Sequence, residues 1–193
     1  MSMNENAALL LRDFANTLDV EESADALGSP ADLAAWLDER DLNAPDPDAP
    51  DPDTPDPGTP GPAAEPDLGN ALALREALRA AMAAHHDGGE GDPAALDAAL
   101  RPYPLRVGHG PGGPRLLPAA GDPAAWLAAA LVEARSDGTW IRLKICPAED
   151  CRWSFLDTSR NRSRTWCDMK VCGNRTKTRA YRARRTPGPG PTQ

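Results

Sequence analysis

Cysteine is absent from the first 145 residues of this chain, histidine occurs three times in all, and aromatic residues make up only 5% of it. Each scarcity excludes something. No stretch approaches the ~20 consecutive apolar residues of a membrane-spanning helix, so no membrane partner is expected. With two tyrosines and two phenylalanines, there is too little large β-forming material for a sheet sandwich. The core must come from Leu, Ala, Val and five tryptophans, which suits packed helices. Signs of catalysis are also missing. No nucleophile sits beside a base, and the glycines of His109-Gly110-Pro111-Gly112-Gly113 are not followed by the Lys-Ser or Lys-Thr of a phosphate loop, so no enzyme is expected. The opening MSMNENAALLLRDFANTLD has no basic segment leading into a long apolar stretch, which points to a cytoplasmic, reducing setting.

Charge is scarce in one sign at each end. The 193 residues sum to −8, but residues 139–185 hold thirteen Lys and Arg against four Asp and Glu, and residues 1–138 hold eight against twenty-five. A basic segment on an acidic body is a statement about the partner of that segment, not of the whole chain.

Helices dominate the expected secondary structure. Leu9, Leu10, Phe14 and Leu18 predict a helix over 5–20. Ser29-Pro30-Ala31-Asp32 combines an N-cap serine, a proline at the first helical position and a carboxylate near the positive helix end, opening a helix that buries Leu33, Trp36 and Leu37. Asp67 or Asn70 starts another, with Leu72, Leu74, Leu78 and Met82 apolar and Arg75, Glu76 and Arg79 outward. It stops at His85-His86-Asp87-Gly88-Gly89, where the histidines suit the negative helix end. Adjacent positions on a helix diverge by ~100°, which argues against His85 and His86 as metal ligands. Asp92-Pro93 and Asp122-Pro123 repeat the cap-and-proline device for helices near 93–100 and 123–136. Leu105 to Pro118 reads as a β-hairpin, and Trp140 to Ile145 as a strand. The Pro/Asp tract 44–66 has no apolar residues to bury and reads as a disordered inserted loop.

All four cysteines fall in one pattern, Cys146-x₄-Cys151-x₁₅-Cys167-x₄-Cys172. Structural zinc takes four tetrahedral ligands, and two short paired-cysteine loops can supply them. Two disulfides are the alternative, and they need an oxidising compartment. A carboxylate acting as a base beside the metal is disfavoured, because a catalytic site keeps an open position.

Cys172-Gly173-Asn174-Arg175, with Phe155-x-Asp157, Ser159-x-Asn161, Arg164, Trp166 and Lys177, resembles the CGNR zinc finger. The preceding segment is similar to the alanine-rich ABATE domain, through Phe14-Ala15-Asn16-Thr17-Leu18, Trp36-Leu37 and Leu74-Arg75-Glu76-Ala77-Leu78. The Pro/Asp tract departs from that pattern as an expanded loop. The resemblance implies a bacterial, stress-related transcription regulator with Zn²⁺ held by Cys146, Cys151, Cys167 and Cys172.

The expected fold is mainly α (α+β). A helical domain with a small β-hairpin spans 1–138, a treble-clef-like zinc module of short strands and one basic helix spans 139–185, and 186–193 form a disordered tail. Phe155 and Trp166 should shield the zinc site, and Asp157 and Asn161 should make turn hydrogen bonds. Candidate nucleic-acid contacts are Arg152, Trp153, Arg160, Arg162, Arg164 and Lys170 in the loops. Arg175, Lys177, Arg179, Arg182, Arg184 and Arg185 extend them along the final helix. DNA is favoured over RNA. A small-molecule ligand, a protein partner or a second copy stay open for the acidic body.

Overall fold

A computed structural model describes residues 3–42, 65–110, 113–119 and 121–185. The Pro/Asp tract up to residue 64 and the tail 186–193 lie outside the described residues. Six α-helices and three two-stranded antiparallel sheets make up the described chain, a mixed α+β architecture. No helix among the described residues is long and apolar enough to cross a membrane.

Helix α1 (Met3–Ala15) is shorter than its apolar spacing suggests. It breaks after Ala15, and Leu18 joins strand β1 (Leu18–Asp19), which pairs with β2 (Ala24–Asp25). Thr17 donates its hydroxyl back to the Phe14 carbonyl at 2.8 Å, one of the acceptors left at the helix end. Helix α2 (Pro30–Asp38) starts as expected. The Ser29 hydroxyl accepts from the Asp32 N–H and donates to its carboxylate, and Leu33, Trp36 and Leu37 are buried.

Helix α3 (Leu68–Ala84) is capped by Asp67 and ends in a 3₁₀ turn, His85–Asp87, closed by Gly88 in the left-handed region at φ 73°. Arg75 and Arg79 do not face outward. They share the buried stripe of Ala71, Leu74, Leu78 and Met82, because the i, i+4 rows of one face run through positions 71, 75, 79 and 78, 82. The aliphatic stems fill apolar space while the guanidinium groups find acceptors. Arg75 grips both oxygens of Asp25 at 2.7 Å and reaches Thr17 Oγ1 at 3.0 Å. Arg79 donates to the Ala15 carbonyl at 2.6 Å, satisfying another acceptor of the α1 terminus.

Helix α4 (Pro93–Leu100) is capped by Asp92, and the hairpin β3 (Leu105–Gly110) and β4 (Gly113–Pro118) follows. Helix α5 (Ala125–Ser136) is preceded by Asp122, whose carboxylate accepts from the Ala124 N–H. Helix α1 packs on α5 and α3, and α4 packs on α3. The segment expected to be one strand over 140–145 divides. Trp140–Arg142 form a 3₁₀ turn that buries Trp140 against His85, and only Leu143–Ile145 extend as β5. Strand β5 pairs with β6 (Ser154–Leu156), and these strands lie against α3 and α1. One continuous core cluster therefore runs from the helices into Trp140, Leu143 and Ile145. A π-turn, Met169–Gly173, leads into α6 (Asn174–Arg185).

Candidate metal centre

The first cysteine pair sits in the connection between β5 and β6. The Cys146 N–H donates to the Trp153 carbonyl at 2.8 Å, and the N–H groups of Cys151 and Arg152 both turn back to the Ala148 carbonyl. Arg152 closes this knuckle in the left-handed region, at φ 56°. The second pair brackets the entry to α6. Asp168 caps the π-turn by accepting from the Lys170 and Val171 N–H groups, while its carbonyl accepts from the Cys172 N–H at 3.0 Å. Gly173 sits close to its neighbours: a Cβ there would meet Met169 Sδ at 2.5 Å and Trp166 Cδ1 at 3.2 Å, so any larger residue displaces the exposed Met169 side chain.

Four sulfurs converge from these two turns, all within 4.8 Å of one another, and none is in a disulfide. Cys151 and Cys167 are 3.5 Å apart and Cys167 and Cys172 are 3.6 Å apart. Zinc–sulfur bonds of about 2.3 Å in a tetrahedron place sulfurs about 3.8 Å from each other, so the four thiols fit a zinc ion. Their own chemistry agrees. Burial pushes the Cys151 thiol up to about 11 and Cys167 higher still. Cys172 lies below the ordinary thiol value despite its burial, drawn down by hydrogen bonds from Cys167 and Arg175. Four packed thiols cannot all ionise without a cation among them, and zinc supplies that charge and a closed structural site.

The shell around the sulfurs holds them in place. Phe155 and Trp166 pack on the cysteine cluster, as expected, together with Ala148. Arg175 Nη2 approaches Cys172 Sγ at 3.5 Å, and its other nitrogen bridges Glu21 at 2.8 Å and Asp150 at 3.4 Å. The arginine therefore offsets thiolate charge and fastens α6 to the acidic body. Arg164 lies over the Phe155 ring at 5.0 Å and donates to the carbonyls of Trp166 and Cys167.

Asp157 does more than shape a turn. It accepts from the Ser159 and Arg164 N–H groups, as its residue type suggests, but it is fully buried and ion-paired with Lys144 at 2.8 Å. Burial opposes its ionisation, yet hydrogen bonds from Lys144 and Ser159 hold the carboxyl down at about 2. Lys144 also donates to the Arg162 and Arg164 carbonyls. One buried ion pair thus shapes the arginine-bearing loop from residue 158 to 165. Lys144 was hidden in the alternation of WIRLKI, where it looks like an outward base.

Histidine also serves the centre indirectly. His85 Nδ1 and His86 Nε2 each lie 2.6 Å from a carbonyl of β5, Leu143 and Ile145 respectively. A carbonyl can only accept, so these nitrogens carry the protons. Arg79 adds a bond to the Arg152 carbonyl at 3.2 Å, joining α3 to the cysteine knuckle.

Among the expected nucleic-acid contacts, Arg160, Arg162, Arg164, Lys170, Lys177, Arg179, Arg182 and Arg184 are exposed, and Trp153 is 38% exposed. Arg152 and Arg175 are half-buried, and Arg185 closes α6.

Compared with known families, residues 142–185 match the CGNR zinc finger. Residues 9–138 match ABATE, described as "Putative stress-induced transcription regulator". No curated protein matches the chain.

Proposed function

The chain belongs to the ABATE family and carries a CGNR zinc finger after that segment, and on this premise we propose that it is a zinc-dependent, DNA-binding transcription regulator. The observation that carries this proposal is the row of exposed cations on α6 and on the loop 158–165, mounted on a cysteine cluster that fits zinc. Of the finger's own acids, Asp157 is consumed by the buried Lys144, while Asp150 offsets Arg175 and Arg179 at the start of the row. Such a surface attracts phosphates and orients a polyanion, while base reading falls to whichever side chains reach a groove. The acidic helical body then senses a signal or pairs with another molecule, and the stress connection rests on the family's description.

A salt titration of duplex DNA binding by the zinc-loaded protein tests the proposal. About five phosphate contacts give a slope near −4.5 in log K against log salt, at ~0.9 per contact. Absence of salt-sensitive binding would overturn it. Trp153, exposed beside Arg152, favours a second reading in which unpaired RNA bases stack on the finger. Competition between single-stranded RNA and duplex DNA separates the two.

A further inference from the structure

Between α1 and α2 on one side and the zinc-bearing strand and loop on the other lies a cleft of about 700 Å³. Ligand sites for small molecules run from about 300 to 1,000 Å³ and favour junctions of this kind. Its lining has two chemical signatures. The first is cationic. Arg12, Arg40 and Arg164 line it against one carboxylate, Asp13, although the acidic body has only eight cations to spend. Arg12 binds Asp13 through Nε and Nη2, Arg40 uses Nη1 on the Trp36 carbonyl and Glu39, and Arg164 uses Nε and Nη2 on loop carbonyls. Each guanidinium thus keeps one terminal nitrogen without a protein partner among the described residues. The second signature is aromatic. Trp36, Trp153 and Phe155 line it; Trp153 is exposed, whereas the nearly buried Trp36 and Phe155 rings lie beneath the guanidinium carbons of Arg40 and Arg164, at 4.0 and 5.0 Å from their centroids.

We propose that this cleft binds a small planar aromatic carboxylate, the ring against the exposed Trp153 and the carboxylate on the guanidinium groups of Arg12, Arg40 and Arg164. The remaining N–H donors of the three guanidinium groups can share the two oxygens of a carboxylate, and the exposed Trp153 ring supplies stacking area. The site spans both halves of the molecule. Asn16 lines it and exchanges two hydrogen bonds with the Ser154 backbone, at 2.7 and 3.0 Å. Cys167 also lines it. Arg164 is also among the cations offered to nucleic acid, so ligand and DNA compete for it. That regulatory consequence rests on the DNA-binding reading, whereas the ligand site itself does not.

Isothermal titration of the full-length, zinc-loaded protein with 2-naphthoate is the test. Saturable one-to-one binding is expected. It should weaken about tenfold or more with uncharged 2-naphthylmethanol, with non-aromatic cyclohexanecarboxylate, and in Arg40→Gln and Arg12→Gln proteins that retain full zinc content. No saturable binding, equal affinity in both variants, or naphthylmethanol binding as tightly as naphthoate would each overturn the site. In a second arm, saturating 2-naphthoate should weaken duplex DNA binding by the same factor by which DNA weakens naphthoate binding. DNA affinity unchanged by naphthoate overturns the competition. A protein that binds naphthoate but no DNA at all refutes the DNA reading and leaves the site standing.

Discussion

Asp157 and Lys144 form the most deeply buried ion pair among the described residues. Both are buried, and the carboxylate accepts from the loop backbone while the ammonium donates to it. Removing one partner strands the other's charge in a poorly solvated site. Asp157→Ala should therefore destabilise the zinc-loaded protein by about 3–5 kcal/mol, read from denaturant unfolding. Replacing both residues with apolar ones should recover much of that loss. At this scale the sequence was partly legible. Cys172-Gly173-Asn174-Arg175 and Phe155-x-Asp157 stood out as motifs, but part of their reason is spatial: Arg175 serves a thiolate within the motif and also two carboxylates, Glu21 and Asp150, that are distant in the chain.

Secondary elements divide between those set locally and those set by neighbours. The caps Ser29, Asp67 and Asp92 lie where their residue types predict, because a cap is completed within three residues. Helix α1 stopping at Ala15, the buried arginines of α3 and the 3₁₀ turn at Trp140 depend on contacts across the fold, and periodicity alone misplaced them. The 3₁₀ turn at His85 is of the second kind and carries a pH dependence. Burial depresses His85 below its ordinary value of 6.5, outweighing the hydrogen bond to Leu143. The unfolded chain then binds a proton at a pH where the folded chain does not, so stability is complete above about 6.5 and falls as pH drops below it. The thermal midpoint should decline between pH 7.5 and 5.5. In His85→Gln that decline should be shallower, and an unchanged slope would contradict the linkage.

The whole molecule behaves as more than a finger tied to a body. Trp140, Leu143 and Ile145 belong to the helical core, and Asn16, Arg79, His85 and His86 bond across to the strands and knuckle. Zinc loss should therefore be felt by the helices. Chelation, or Cys146→Ser or Cys172→Ser, should remove the metal and lower the midpoint of a single cooperative transition followed by far-ultraviolet circular dichroism. About 1 kcal/mol moves a chain of this size by about 2–4 °C. A helical transition at an unchanged midpoint would instead mean that the two parts fold independently.

Cysteine spacing, charge segregation and helix caps were determined by the sequence itself, since each is a property of residues close along the chain or of composition. They establish a metal-binding cysteine module, a basic surface and a helical body. Only the tertiary structure decided which cations are exposed and which are spent inside. It turned Lys144, Arg75 and Arg79 into buried ties, drew Arg175 onto a zinc ligand, and gathered Arg12, Arg40 and Arg164 around one cleft. The physical reason is that a charge acts through its neighbours and its solvent, and both are chosen by contacts between segments far apart in the chain.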